Sequence, residues 1–128
     1  NSNLTTEPQV TRPDPIESLS PVENAVQVHQ QEGVNVDFEF GYEAVLIIDG
    51  IELETTNIGN IEVEPGQLVS LPPTAIFDPG NAIISFNPSE DAAITKWSEG
   101  RHQARVVFWK TEEGRGNARS YTWSFEVV

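Results

Sequence analysis

Apolar and polar residues alternate along this chain with a period of two, in short runs broken by turn residues. "VNVDFEF" is the clearest case: Val34, Val36, Phe38 and Phe40 fall on one side, and Asn35, Asp37 and Glu39 on the other. That alternation predicts a half-buried β-strand. "IESLSP" is a weaker edge strand, with Ile16, Ser18 and Ser20 on one side, Leu19 on the other, and Pro21 ending it. "AVLII" runs into Asp49-Gly50 and then "IELE". Asp-Gly between two such runs predicts a tight hairpin, because its turn residues need positive φ.

Further turns are expected at Pro65-Gly66, at "FDPGN", at Glu99-Gly100 and in the glycine-rich "TEEGRGNA". Between and after them lie "AIISFNP", the long "RHQARVVFWK" and a closing strand. In that closing strand Tyr121, Trp123, Phe125 and Val127 alternate with Ser120, Thr122, Ser124 and Glu126. No helical period is sustained, and no internal repeat is visible. About seven short strands with this spacing predict an all-β, antiparallel β-sandwich over residues 16–128. Residues 1–15, "NSNLTTEPQVTRPDP", carry three prolines among polar spacers and read as an extended arm or linker.

The stretch "ARVVFWK" cannot be satisfied by one buried face. If Ala104, Val106 and Phe108 point inward, Val107 and Trp109 point outward with Arg101, Gln103 and Arg105. In the neighbouring "AVLII", an inward Leu46 and Ile48 leave Val45 and Ile47 outward. Val45, Ile47, Val107 and Trp109 then form one apolar patch, rimmed by Arg105 and Lys110, of the kind partners dock on. The competing expectation is that Leu4 and Val10 of the arm fold back over it. Trp97 and Trp123 read as core.

Composition narrows the chemistry. The 128 residues contain no cysteine, which removes thiol nucleophiles, thiolate metal sites and disulfides. Acids outnumber Lys and Arg by 20 to 7, a net charge of −13, and Arg12 is the only Lys or Arg before Lys96. Such a surface disfavours nucleic acid and anionic lipid headgroups, which need cationic patches. No apolar run approaches the roughly 18 residues that span a bilayer, so membrane insertion by this segment is not expected. The lack of any methionine, even at position 1, reads as a processed form or a piece of a longer protein.

Only His29 and His102 are available as near-neutral bases, and no nucleophile elbow, phosphate loop or zinc-protease motif occurs. His102 is expected as a buried imidazole bonded to a loop carbonyl, and His29 as exposed. The expectation is therefore a non-enzyme without a cofactor. Were a cofactor present, calcium is the better expectation, because hard cations take oxygen ligands and this chain is rich in them. Its candidate ligands are Asp37 and Glu39 on one strand, Glu62 and Glu64 near another, Asp78 in "FDPGN", and Glu90 and Asp91 in the following loop, and none has EF-hand spacing. Asp78 and Asn81 are equally what a turn uses for local bonding.

In their order, "ESLSPVENAVQV", "GVNVDFEF", "VLIIDGIEL", "WSEGRHQARVVF" and "YTWSFEV" resemble the bacterial immunoglobulin-like domains of cell-surface and secreted proteins. The resemblance implies an extracellular or cell-surface location, tethered or secreted. It also implies an adhesive, interaction or spacer role without catalytic residues, and a partner that is another protein, a neighbouring domain or a second copy. The alternative is a calcium- or carbohydrate-binding sandwich, in which Trp109 and Tyr42 would stack on sugar rings.

Overall fold

The computed structural model describes residues 11–62, 64–68 and 70–128. They form two five-stranded sheets packed face to face. The strands are β1 (Ile16–Ser20), β2 (Ala25–Val28), β3 (Val34–Phe38), β4 (Tyr42–Ile48), β5 (Ile51–Glu52), β6 (Thr55–Asn57), β7 (Ala75–Asp78), β8 (Ile83–Phe86), β9 (Gly100–Lys110) and β10 (Arg119–Val127). One sheet runs β1-β3-β8-β7-β6, the other β2-β10-β9-β4-β5. Short 3₁₀ turns at Ile58–Asn60 and Arg115–Asn117 are the only helical segments among the described residues.

The all-β sandwich is as the alternation predicts, with two corrections. The described residues carry ten strands rather than about seven, because short edge segments such as β2, β5 and β6 extend both sheets. The pairing is mostly antiparallel, but β2 runs parallel to β10 and β6 parallel to β7. Those strands are too short for their pairing direction to show in sequence, since period-two patterning is the same for either direction.

The core lies between the sheets. Val34, Val36 and Phe38 of β3 face Leu46 and Ile48 of β4 and Val106 and Phe108 of β9, all essentially inaccessible to water. Trp97 and Trp123 are buried, as expected, and each buried indole N–H is satisfied: Trp97 Nε1 donates to the Glu32 carbonyl at 2.7 Å and Trp123 Nε1 to that of Pro21 at 2.8 Å. A buried donor without such a partner costs about 1–3 kcal/mol, so these two bonds fix where the loops at 21 and 32 lie.

Two positions depart from strict alternation. Phe40 does not continue the inward row of β3: the strand ends at Phe38, Gly41 turns the chain at φ 97°, and Phe40 is 82% exposed. In β1, Ile16 and Leu19 are both buried although their spacing puts them on opposite faces, because the pairing with β3 slips between Ile16 and Ser18. A bulge of this kind re-aims the residues that follow it.

The segment read as an arm falls partly on residues 1–10, and with it Leu4 and Val10, which lie outside the described residues. Residues 11–15 are tied to the sandwich. The Pro15 carbonyl accepts the Glu39 N–H at 2.9 Å, and Arg12 forms a fork on Glu23 at 2.7 and 2.8 Å. Among the described residues no helix is long and apolar enough to cross a membrane.

Candidate functional site

The outward face of the β2-β10-β9-β4-β5 sheet gathers the residues singled out as a patch. Val45 stands directly opposite Val107, Ile47 opposite Arg105, and Glu43 opposite Trp109. On the other flank Ser120 faces Val107 and Thr122 faces Arg105. Val45, Ile47, Val107 and Trp109 are half-buried, while their inward neighbours Ala44, Leu46, Val106 and Phe108 are fully covered. The alternation therefore assigns both faces of "ARVVFWK" correctly.

The patch has a strap that sequence reading missed. Arg115, in the 3₁₀ turn between β9 and β10, lays its guanidinium 5.7 Å from the centre of the Trp109 ring. The same group donates to Glu52 of β5 at 2.7 Å. Glu52 is in register with Ile47, so the ion pair spans the patch from the β9 side to the β5 edge. Both partners are about half exposed, 51% and 47%. Arg105 meanwhile bonds Ser120 Oγ at 3.2 Å. Lys110, expected in the rim, is in register with Tyr42, whose ring packs on Phe38 and Phe108 in the core. Lys110 thus has the opposite parity to Trp109, and Arg115 takes the place expected of it. Nothing in "TEEGRGNA" marks Arg115, because its approach to Trp109 depends on how an eight-residue loop folds back.

Tyr42 and Trp109 lie on opposite faces of one sheet, so they do not form the aligned platform that sugar stacking needs. The candidate calcium ligands are likewise scattered. Among the described residues no three His, Cys, Asp or Glu side chains gather where an ion could sit. Asp78 is engaged in its own turn, accepting from Gly80 N at 2.9 Å and Asn81 Nδ2 at 2.8 Å. Asp37 and Glu39 belong to the β3 end, whereas Glu90 and Asp91 lie in the loop after β8. Asp91 shares a hollow of about 310 Å³ with Glu54, Leu53, Thr74 and Phe86.

Two polar clusters bring distant residues together. In the first, Glu23 accepts the Arg12 fork and the Tyr121 hydroxyl at 2.6 Å, with its side chain only 8% exposed. The Arg12 bonds outweigh the opposing effect of burial and, with the Tyr121 bond, hold the Glu23 carboxyl at about 2. Burial and the same hydrogen bond push Tyr121 up to about 12.

The second cluster joins Asp49, His102 and Ser98. His102 Nδ1 is 2.6 Å from Asp49 Oδ2, and its Nε2 is 2.7 Å from the Ser98 carbonyl oxygen and 3.4 Å from the Ser98 hydroxyl. The three residue types are those of a hydrolase triad, but the geometry is different. A general base needs a free ring nitrogen facing the nucleophile, and here that nitrogen faces a carbonyl. His102 is thus the buried imidazole on a loop carbonyl that the sequence predicts; the Asp49 partner, reached through the hairpin turn, was not foreseen. His29 is exposed.

No protein-family model matches the chain, and no curated protein matches it. Among solved structures it is similar to the crystal structure of CopC from Methylosinus trichosporium OB3b, with a TM-score of 0.53 and 15% identity over 88% of this chain and 90% of that one. At that identity the likeness is one of fold alone, over nearly the whole chain.

Proposed function

We propose that this chain is a non-enzymatic, immunoglobulin-like module of a bacterial surface or secreted protein, and that it binds a protein partner through the outward face of β10, β9 and β4. The strand order supports the immunoglobulin-like assignment. With β1, β3, β8 and β7 taken as strands A, B, E and D, and β4, β9 and β10 as C, F and G, the sheets read A-B-E-D and G-F-C. An acidic, cysteine-free surface is consistent with work outside the cell.

The observation that carries the binding reading is the direct pairing of Val45 with Val107 on a solvent-facing sheet, flanked by Ile47 and Trp109. Four branched or aromatic side chains on one face, two of them directly paired, are more than scattered surface apolar residues, and aromatic and Arg groups supply most interface energy. Against hydrolase chemistry stands the Ser98–His102–Asp49 geometry, which leaves no ring nitrogen to accept a proton.

The test is light scattering over a concentration series, with and without calcium, on the wild type and on Val107→Ser and Trp109→Ala. Association that the variants abolish while the near-ultraviolet dichroism keeps its native form supports the face as an interface. Association that requires calcium shifts the reading to the acidic loops. A monomer throughout, combined with a stability loss of several kcal/mol in Trp109→Ala, makes the face ordinary packing and overturns the reading.

A further inference from the structure

We propose that Asp49, His102 and the Ser98 carbonyl form a pH-operated latch, in which a buried imidazolium clamps the β4–β5 hairpin turn and the Ser98 approach to the start of β9 and loosens both contacts on deprotonation. The argument begins with hydrogen-bond inventory. A neutral imidazole has one N–H and one lone pair, whereas the imidazolium has two N–H donors. His102 meets acceptors on both nitrogens, a carboxylate oxygen at 2.6 Å and a carbonyl oxygen at 2.7 Å. A neutral ring would set a nitrogen lone pair against an oxygen lone pair at one of them, with only the Ser98 hydroxyl, 3.4 Å from Nε2, to donate to it, so the cation fits this arrangement better.

The surroundings suit a cation. The ring packs against Trp97, 5.6 Å away centre to centre, and Phe125, stacked at 5.9 Å, which also meet each other at 5.8 Å. Aromatic faces attract a cation most strongly when it is desolvated, and His102 is 8% exposed. Burial lowers its pKa, but the bonds to Ser98 and Asp49 and the Asp49 charge outweigh this, and the net shift is upward from 6.5.

Asp49 makes the clamp two-sided. Its Oδ1 accepts the Gln103 N–H at 2.8 Å, and its own N–H donates to the Gln103 carbonyl at 2.8 Å. The hairpin turn, the strand start and the 98–100 approach therefore share one charged hub. The other charged groups on the packed elements turn away: Arg101 and Glu126 are cross-strand partners on the outward face, and Lys96 and Glu99 are exposed in the approach loop. Glu32, whose carbonyl holds Trp97, directs its carboxylate to the His29 N–H. Among the described residues Asp49 is the one carboxylate bonded to the ring.

The sign follows. A raised folded-state pKa means that the contribution is complete below 6.5 and is lost as pH rises through the higher folded value. The test is ring ¹⁵N resonance spectroscopy from pH 5 to 10, assigned with His29→Gln, together with amide exchange at Gln103 compared with Val106. Expected are two protonated ring nitrogens at pH 6, a midpoint above 6.5, and a severalfold fall in Gln103 protection across that midpoint while Val106 holds. Asp49→Asn keeps a turn-forming Asn-Gly pair and should lower the midpoint and remove the pH-dependent loss. A single ring proton at pH 6, a midpoint at or below 6.5, or the same loss in Asp49→Asn overturns the proposal.

Discussion

Replacing Glu23 by Gln removes a charge and almost no volume, and so isolates what the Arg12–Glu23–Tyr121 cluster contributes. The carboxylate accepts three bonds, from Arg12 at 2.7 and 2.8 Å and from Tyr121 at 2.6 Å. Its pKa falls from 4.5 to about 2. At about 1.4 kcal/mol per unit, that depression corresponds to ~3 kcal/mol of stability at neutral pH. Part of this is recovered in the variant. Arg12, 29% exposed, turns its guanidinium into water, and the Gln carbonyl still accepts from Tyr121. The expected cost is about 2 kcal/mol.

Urea denaturation is the suitable assay, because guanidinium chloride is itself a salt and screens the ion pair. With a slope of about 1–3 kcal/mol per molar, the midpoint at pH 7 should fall by about 1 M. The pH arm has a fixed sign. A lowered carboxyl pKa stabilises above 4.5 and loses its contribution as pH falls through about 2. The wild type and Glu23→Gln should therefore differ fully at pH 6 and converge toward pH 2. Other carboxylates contribute alike to both proteins and cancel in the difference. A midpoint shift under ~0.2 M at pH 7, or a gap that stays constant into acid, would refute the reasoning.

Trp97→Ala should cost about 3–5 kcal/mol in the same assay, because it empties a core site and orphans the Glu32 carbonyl. Trp109→Ala, half-buried and covered by Arg115, should cost only about 1–2 kcal/mol. Gly50→Ala meets no neighbour but imposes a side chain at φ 85°, and a loss of about 1 kcal/mol by thermal melting is expected. Arg115→Ala should change stability by less than ~1 kcal/mol, since its pair with Glu52 is solvent-exposed. Acrylamide quenching should rise in that variant, Trp97 and Trp123 being buried and Trp109 the indole the strap covers.

What was legible in the sequence is whatever follows from alternation and turn chemistry. Val34, Val36, Leu46, Ile48, Val106 and Phe108 face the core because a strand reverses side at each residue, and Asp49-Gly50 turns because its residues adopt positive φ, 50° and 85°. Phe40 and Leu19 were misread for the converse reason: a strand end and a bulge are single-residue events that a run of alternating letters does not display. Of the candidate site, Val45, Ile47, Arg105, Val107 and Trp109 were legible as one face. Arg115 and Glu52 were not, since the former is placed by a loop and the latter by the register of a two-residue strand. The Asp49–His102 bond spans 53 positions and has no local signature at all.

The strap also bears on what kind of contact this face supports. An apolar centre of four half-buried residues is far below the ~800 Å² per partner of a stable complex, so an interface here depends on the polar surround. That surround is well supplied: Gln103, Ser120 and Thr122 lie on the same face, and Arg105, Arg115, Glu43 and Glu52 bring both signs of charge. An exposed ion pair contributes about 0–1 kcal/mol, so a partner that offers Arg115 another carboxylate displaces Glu52 at little cost and uncovers Trp109. On this reasoning Glu52→Gln, which frees Arg115 in advance, should raise affinity through this face modestly. Arg115→Ala uncovers Trp109 equally but removes the group that would meet such a carboxylate under the proposed reading, and should lower it. Equal effects of the two substitutions on association would make Arg115 a mere cover rather than a contact.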